Sequence, residues 1–281
     1  LPEIVIGEPT KASPSVLIVG GSGSGKTHAI AELLKAGKTG LILAVEAKTQ
    51  ILLKHRPMIV YVAAPVTEGG KMREPTPTEK FNRLKEFRDR LASGEYREHE
   101  GKKIDFLATD GVMELMQVFY GHHKLNRPVD RDGAPNTYAM YDAIGESVLD
   151  FLRTLRDAAS EAASLYGTEP LGIIATCGEE WEKKKGEEGR YVPLLKGNIV
   201  PRNLPYQFEM VLRLDTEAGL DGGVQYVAHT VRGAQGEWFA KTPGGLLPPK
   251  IVLGPGAQTE MTFNDIYDRL TALYRGEEEK V

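Results

Sequence analysis

Gly20-Gly21-Ser22-Gly23-Ser24-Gly25-Lys26-Thr27 has the spacing G-x-x-x-x-G-K-[ST], a set of residue types able to wrap the phosphates of a nucleotide. Each fixed position has a chemical task. Glycines admit left-handed backbone angles and let N–H groups approach phosphate oxygens closely. The ammonium of Lys26 can neutralise the β- and γ-phosphates, and the hydroxyl of Thr27 can ligate Mg²⁺. With His28 on the next turn, the candidate cofactor-binding run is Gly20 to His28.

Such a loop works only between a strand that presents it and a helix whose N-terminus faces the anion. Ser15-Val16-Leu17-Ile18-Val19 reads as a buried strand before it, and His28 to Leu34 as a helix after it. A Gly/Ser-rich linker would have neither flank. Two carboxylates close later strands. Asp110 ends the run from Lys103 to Thr109 and suits a metal role, holding the Mg²⁺ water shell beside Thr27. A strand-end aspartate that caps the next helix is the plainer alternative. The residue after Asp110 is Gly111, so a general base must come from elsewhere. Glu46 ends the run from Gly40 to Val45, and a parallel sheet would carry it to the phosphate edge as the group that deprotonates water.

The predicted organisation is an N-terminal extension (1–14), a core (15–245) and a tail with a short helix (246–281). Met58 to Val62 is a third apolar run. Phe81, Leu84, Phe87 and Leu91 repeat at helical spacing within 78–92, and Leu149, Leu152, Leu155 and Ala159 do so within 138–166. A helix over 112–120 is followed by a polar loop, 121–136. A fifth strand, 171–176, leads into a charged loop, 178–206. Phe208–Leu214, Val224–Val231 and Glu237–Lys241 read as a closing antiparallel meander. The fold class is α/β: a mostly parallel central sheet, helices on both faces, and the meander at its end.

The formal net charge over 281 residues is −4, so contact with nucleic acid would need a local patch rather than a global field. One cysteine, Cys177, leaves no internal disulfide and fits a reducing compartment. No apolar run reaches membrane-spanning length, and no signal-peptide pattern opens the chain, which points to the cytoplasm. The first residue is Leu1, which implies that the natural chain begins upstream.

The phosphate loop, Ala44-Val45-Glu46, Thr109-Asp110 and a closing meander together resemble the RecA-type ATPase core. They most resemble the compact phage-encoded RecA-like ATPases of single-strand annealing and recombination. The resemblance covers about residues 15–245, with Glu209 standing where the pattern has aspartate. It implies ATP and Mg²⁺ as cofactors, ATP hydrolysis, a homo-oligomeric ring or filament, and single-stranded DNA as partner. It places the sensor position at Thr176 or Cys177. It also makes Lys241 a candidate catalytic residue reaching the next subunit, although Pro243 stands where an arginine is usual. A strand-end lysine in solvent is the alternative.

DNA contact in such proteins comes from loops after two of the strands. The first here carries Lys124 and Arg127, beside His122, His123 and Arg131. The second carries Trp181, Lys183, Lys184, Lys185, Arg190, Tyr191, Lys196 and Arg202. Trp181 and Tyr191 could stack on bases while the cations meet phosphates. Five glutamates between 179 and 188 nearly cancel that charge, so a solvated loop stays open as an alternative. Two other functions also stay open: a nucleotide or small-molecule kinase with 178–202 as its lid, and a non-hydrolysing nucleotide-gated assembly module.

Overall fold

Short runs of Val, Ile and Leu buried on both faces make the central strands, the pattern expected where helices cover a parallel sheet on both sides. The computed structural model describes residues 13–45, 50–125, 129, 132–134, 136–183, 188–195, 199–219, 222–234, 236–243, 246–253 and 261–275. The chain opens with β1 (Ser15–Gly20), α1 (Lys26–Lys35), β2 (Gly40–Ala44), the one-turn α2 (Gln50–Leu53) and β3 (Met58–Tyr61). A small hairpin, β4 (Val66–Glu68) with β5 (Lys71–Arg73), precedes α3 (Pro77–Ala92), and a second, β6 (Glu98–His99) with β7 (Lys102–Lys103), follows it. Then come β8 (Phe106–Asp110), α4 (Val112–Leu125), α5 (Thr137–Tyr166), β9 (Gly172–Glu182) and β10 (Arg190–Pro193). The last elements are α6 (Ile199–Asn203), a 3₁₀ turn over Leu204–Gln207, β11 (Met210–Ala218), β12 (Val224–His229), β13 (Lys250–Leu253) and α7 (Phe263–Arg275).

The main sheet has the order β13-β12-β11-β1-β9-β8-β2-β3. Strands from β11 to β3 are parallel, while β12 and β13 add on antiparallel. One consequence governs the site: β9 lies between β1 and β8, so the loop after β1 and the aspartate ending β8 share one edge, one strand apart. On one face α3, α4 and α5 bury Leu84, Phe87, Leu115, Phe119 and Leu155. On the other, α1 and α7 bury Ile30, Leu33, Phe263 and Leu270.

Local chemistry sets the helix ends. Thr76 and Glu79 form a reciprocal capping box with Pro77 in the first turn of α3. Asn136 caps the start of α5, and Gly167, at φ 61°, ends it in the left-handed conformation.

Three expectations change. The charged segment after the fifth strand is a hairpin: β9 runs on to Glu182 and pairs with β10. Glu179, Glu180 and Glu182 fall on both faces of the extended β9, so no alternation marked it as strand. The third antiparallel strand is β13, not 237–241, which meets β11 only through an isolated Val211–Lys241 bridge. Residues 246–253 and 261–275 therefore belong to the main sheet and its core. Finally, α4 continues to Leu125, which puts Lys124 in a helical last turn and not a loop.

The ring of Phe263 is fully buried in the α1 face, and its N–H donates to Glu32 Oε2 at 3.0 Å. Phe263→Ala is expected to lower stability by about 3–5 kcal/mol, the usual cost of emptying an aromatic core site. Urea unfolding followed by circular dichroism measures it. A loss below about 1 kcal/mol would show that α7 is not part of the cooperative core.

Candidate active site

At the carboxyl end of β1, an added Cβ on Gly20 would stand 2.4 Å from both the Leu214 carbonyl oxygen and Ser24 Oγ, so the turn into the loop excludes any side chain. Gly23 and Gly25 hold φ of 80° and 92°, left-handed angles that glycine adopts without strain. Gly25 then precedes α1, whose first N–H groups face the loop. Lys26 Nζ donates to the carbonyls of Gly20 at 2.8 Å and Gly21 at 2.7 Å, lying across the loop where phosphate oxygens would take over as acceptors. Burial pushes its pKa down, opposed by nearby charges that include Asp110, Glu179 and Glu114.

Thr27 Oγ1 lies 3.2 and 3.1 Å from the two carboxylate oxygens of Asp110 and donates to them. Thr176, on the intervening β9, donates to Asp110 Oδ1 at 2.8 Å and accepts from the Gly111 N–H at 2.9 Å. One polar chain thus joins the start of α1 to β8 and β9. The loop fits a triphosphate: Gly20 leaves no room for a Cβ, Gly23 and Gly25 hold left-handed angles, and the buried Ser24 hydroxyl has no protein partner. Thr27 and Asp110 would hold Mg²⁺, with phosphate and water oxygens completing its shell. Among the described residues no group of three or more His, Cys, Asp or Glu side chains forms a metal site by itself.

Sequence reasoning missed two groups. Glu114, one turn into α4, folds its carboxylate over Gly111, where an added Cβ would stand 2.2 Å from Oε2. Helical spacing from Asp110 was the available signal. Arg213 is the second, a cation in the core beside the loop. Its guanidinium meets Glu179 at 3.0 and 2.9 Å and Asp215 at 2.7 Å, with Arg213 and Glu179 side chains only 5% exposed. Burial disfavours its charge, but the two carboxylates outweigh that and raise its pKa. No sequence pattern announces a partner 34 residues away.

Of the expected residues, Glu46, Arg127, Lys184, Lys185 and Lys196 lie outside the described residues. Trp181 and Tyr191 face each other across the hairpin, rings 4.9 Å apart and edge-on. Trp181 is 52% exposed, whereas the Tyr191 ring is covered by the Arg213 guanidinium at 4.4 Å. Lys183 follows the hairpin strand, Arg190 is paired with Glu182 at 3.4 Å, and Arg202 is exposed on α6. Lys241 pairs through its backbone with Val211, three residues before Leu214, the partner of Gly20. That places it about 10 Å toward the amino ends of the strands, away from its own phosphate loop.

A family model described as an AAA domain matches residues 12–243. This chain belongs to the AAA-domain family. It is a P-loop NTPase domain with an α/β fold built on a mostly parallel central sheet. No curated protein matches it. Among solved structures it is similar to a prototypical ATPase from the type III secretion system of pathogenic bacteria, at 14% identity and a TM-score of 0.38. That match covers 73% of this chain and 52% of the other, so the AAA domain spans about half that ATPase's length. The RadB recombinase is also similar, at 15% identity and a TM-score of 0.35, with 78% of this chain and 81% of RadB covered. Among the described residues no helix is long and apolar enough to cross a membrane.

The two residues expected at a sensor position divide between the faces of β9. Thr176 turns to Asp110, while Cys177 packs into the α3–α5 core at 1% exposure. Burial pushes its thiol up to about 12. A thiol titrating there is uncharged at neutral pH and has no nucleophilic form to offer. Cys177 is expected to resist iodoacetamide at pH 8 in the folded protein and to react fully in 6–8 M urea (about the range that unfolds a small domain). Mass spectrometry reads both. Labelling of the native protein would place Cys177 in an accessible pocket instead.

Proposed function

We propose that this AAA domain hydrolyses ATP and couples the cycle to single-stranded DNA, as a homo-oligomer of the recombination or annealing type. The observation that carries the hydrolysis reading is the Thr27–Asp110 contact beside Lys26, because it joins a phosphate cradle to a metal-holding carboxylate on one sheet edge. In this reading Lys26 leaves the Gly20 and Gly21 carbonyls for the β- and γ-phosphates. Mg²⁺, when bound, would neutralise the charge on the same oxygens. Water attacks the γ-phosphorus in line, its proton passes to a carboxylate, and ADP departs with the bonding electron pair. Glu46 is our candidate for that carboxylate.

Lys26→Ala is expected to lower turnover on the order of 10²-fold or more, since it removes the cation facing the transferred group. Glu46→Gln should keep nucleotide affinity and lose roughly 10²–10⁴-fold in turnover. Phosphate release from ATP without an added acceptor measures both and separates hydrolysis from kinase chemistry. Normal turnover in Lys26→Ala would overturn the site. If Glu114→Gln loses turnover and Glu46→Gln does not, the proton goes to the carboxylate on α4.

The DNA reading is supported by the hairpin, which continues β9 past the level of the phosphate loop. Gly178 pairs with Gly20, so Trp181 stands roughly 10 Å beyond it. An exposed indole next to Lys183 offers a stacking face and a cation. For assembly, Lys241 faces away from its own loop, and in this reading it serves the neighbouring subunit's γ-phosphate. Trp181→Ala should weaken binding of an oligothymidine by about 1–3 kcal/mol. Lys183→Ala should reduce the slope of log affinity against log salt by about 0.7. Fluorescence anisotropy across a salt series reads both; unchanged affinity and slope would remove the hairpin from DNA contact.

A further inference from the structure

The sheet order also says where the rest of a nucleotide must go. In the nucleotide reading, Thr27 and Asp110 would hold the metal end of the phosphate chain, and they lie toward β8. The ribose and base occupy the other end of the molecule. A nucleotide lying across the loop with its metal end toward β8 would extend its base away from β8, toward β11 and β12, which follow β1 on that side of the sheet. One aromatic residue waits there. Tyr226 on β12 pairs with Thr216, two residues past the Leu214 that matches Gly20, so it reaches beyond the sheet edge where the loop begins. Its ring lies against the last loop glycine: an added Cβ on Gly25 would stand 3.3 Å from Cδ1 and 3.5 Å from Cε1. It shares the α1 face of the strand with Ala228, which is buried against that helix.

Tyr226 remains open to solvent at 43% exposure, and Val224, on the same face of the strand, is 71% exposed. Two large apolar side chains left uncovered beside a phosphate loop form a small flat pad. We propose that Tyr226 is the platform on which the nucleobase stacks, with Val224 extending the apolar surface. This rests on the nucleotide reading above and adds its second recognition element. A stacking face reads planarity and area and ignores hydrogen-bonding edges. The pad therefore favours the larger purines over pyrimidines and does little to separate adenine from guanine.

The test compares ligands with and without a base. Mg·ATP and Mg·tripolyphosphate are titrated by calorimetry into the full chain and into Tyr226→Ala, Tyr226→Phe and Tyr226→Trp. The alanine variant is expected to bind ATP on the order of ten-fold more weakly while its tripolyphosphate affinity stays unchanged. Phenylalanine should retain wild-type affinity for both. The tryptophan variant should show an ATP-dependent fluorescence quench that the wild type, with Trp181 and Trp238 alone, lacks. Undiminished ATP binding by Tyr226→Ala, or an equal loss for both ligands, would overturn the platform. The first outcome removes the stack, and the second shows that the ring only props Gly25. Failure of the wild type to bind either ligand would overturn the nucleotide reading itself.

Discussion

Everything at the edge of the sheet turns on the Asp110 carboxylate and the two hydroxyls that donate to it. Thr27 comes from the first turn of α1 and Thr176 from β9, so one side chain joins three segments remote in sequence. Hydrogen bonds to a charged group contribute about 1.5–3 kcal/mol each, more than neutral pairs. A half-buried carboxylate without them would leave polar atoms without partners. Thr176 also receives the Gly111 N–H, which fixes the turn at which β8 gives way to α4. That turn needs φ 104° and space for Glu114, and glycine supplies both. The Asp110 carboxylate, the helix behind it and the loop in front are thus set by one continuous polar chain.

The second constraint is Arg213. A guanidinium with 5% of its side chain exposed is expensive unless its partners surround it, and Glu179 and Asp215 do so from two strands. Its faces are used as well, with Tyr191 at 4.4 Å and Trp238 at 5.1 Å. This cluster stands where β9 leaves the sheet to form the hairpin, and Thr176 and Trp181 lie on that one strand, on either side of it.

Much of the site was legible without coordinates. The phosphate loop, its flanking strand and helix, and Asp110 follow from spacing and hydrophobic pattern, because backbone geometry forces those residue types. The apolar runs of β1, β2, β3 and β8 announce themselves for the same reason. The β9–β10 hairpin did not, since Glu179, Glu180 and Glu182 put carboxylates on both faces of the strand around Trp181. Nor did β13, a four-residue strand 20 residues after β12 in a Pro- and Gly-rich stretch, whose pairing depends on an edge that exists only after folding.

The sequence by itself determined that this chain carries a phosphate cradle in an α/β fold, because glycines, lysine and threonine at that spacing have few other uses. Only the tertiary structure decided the neighbours of that cradle. The strand order set β9 between β1 and β8, giving Asp110 to Thr27 and Thr176 and sending Cys177 into the core. The same order put Tyr226 beside Gly25 and left Lys241 at the far end of the strands. Those relations join residues up to 201 positions apart. They arise from which strands pair with which, a choice made by burial over the whole sheet and written in no local pattern.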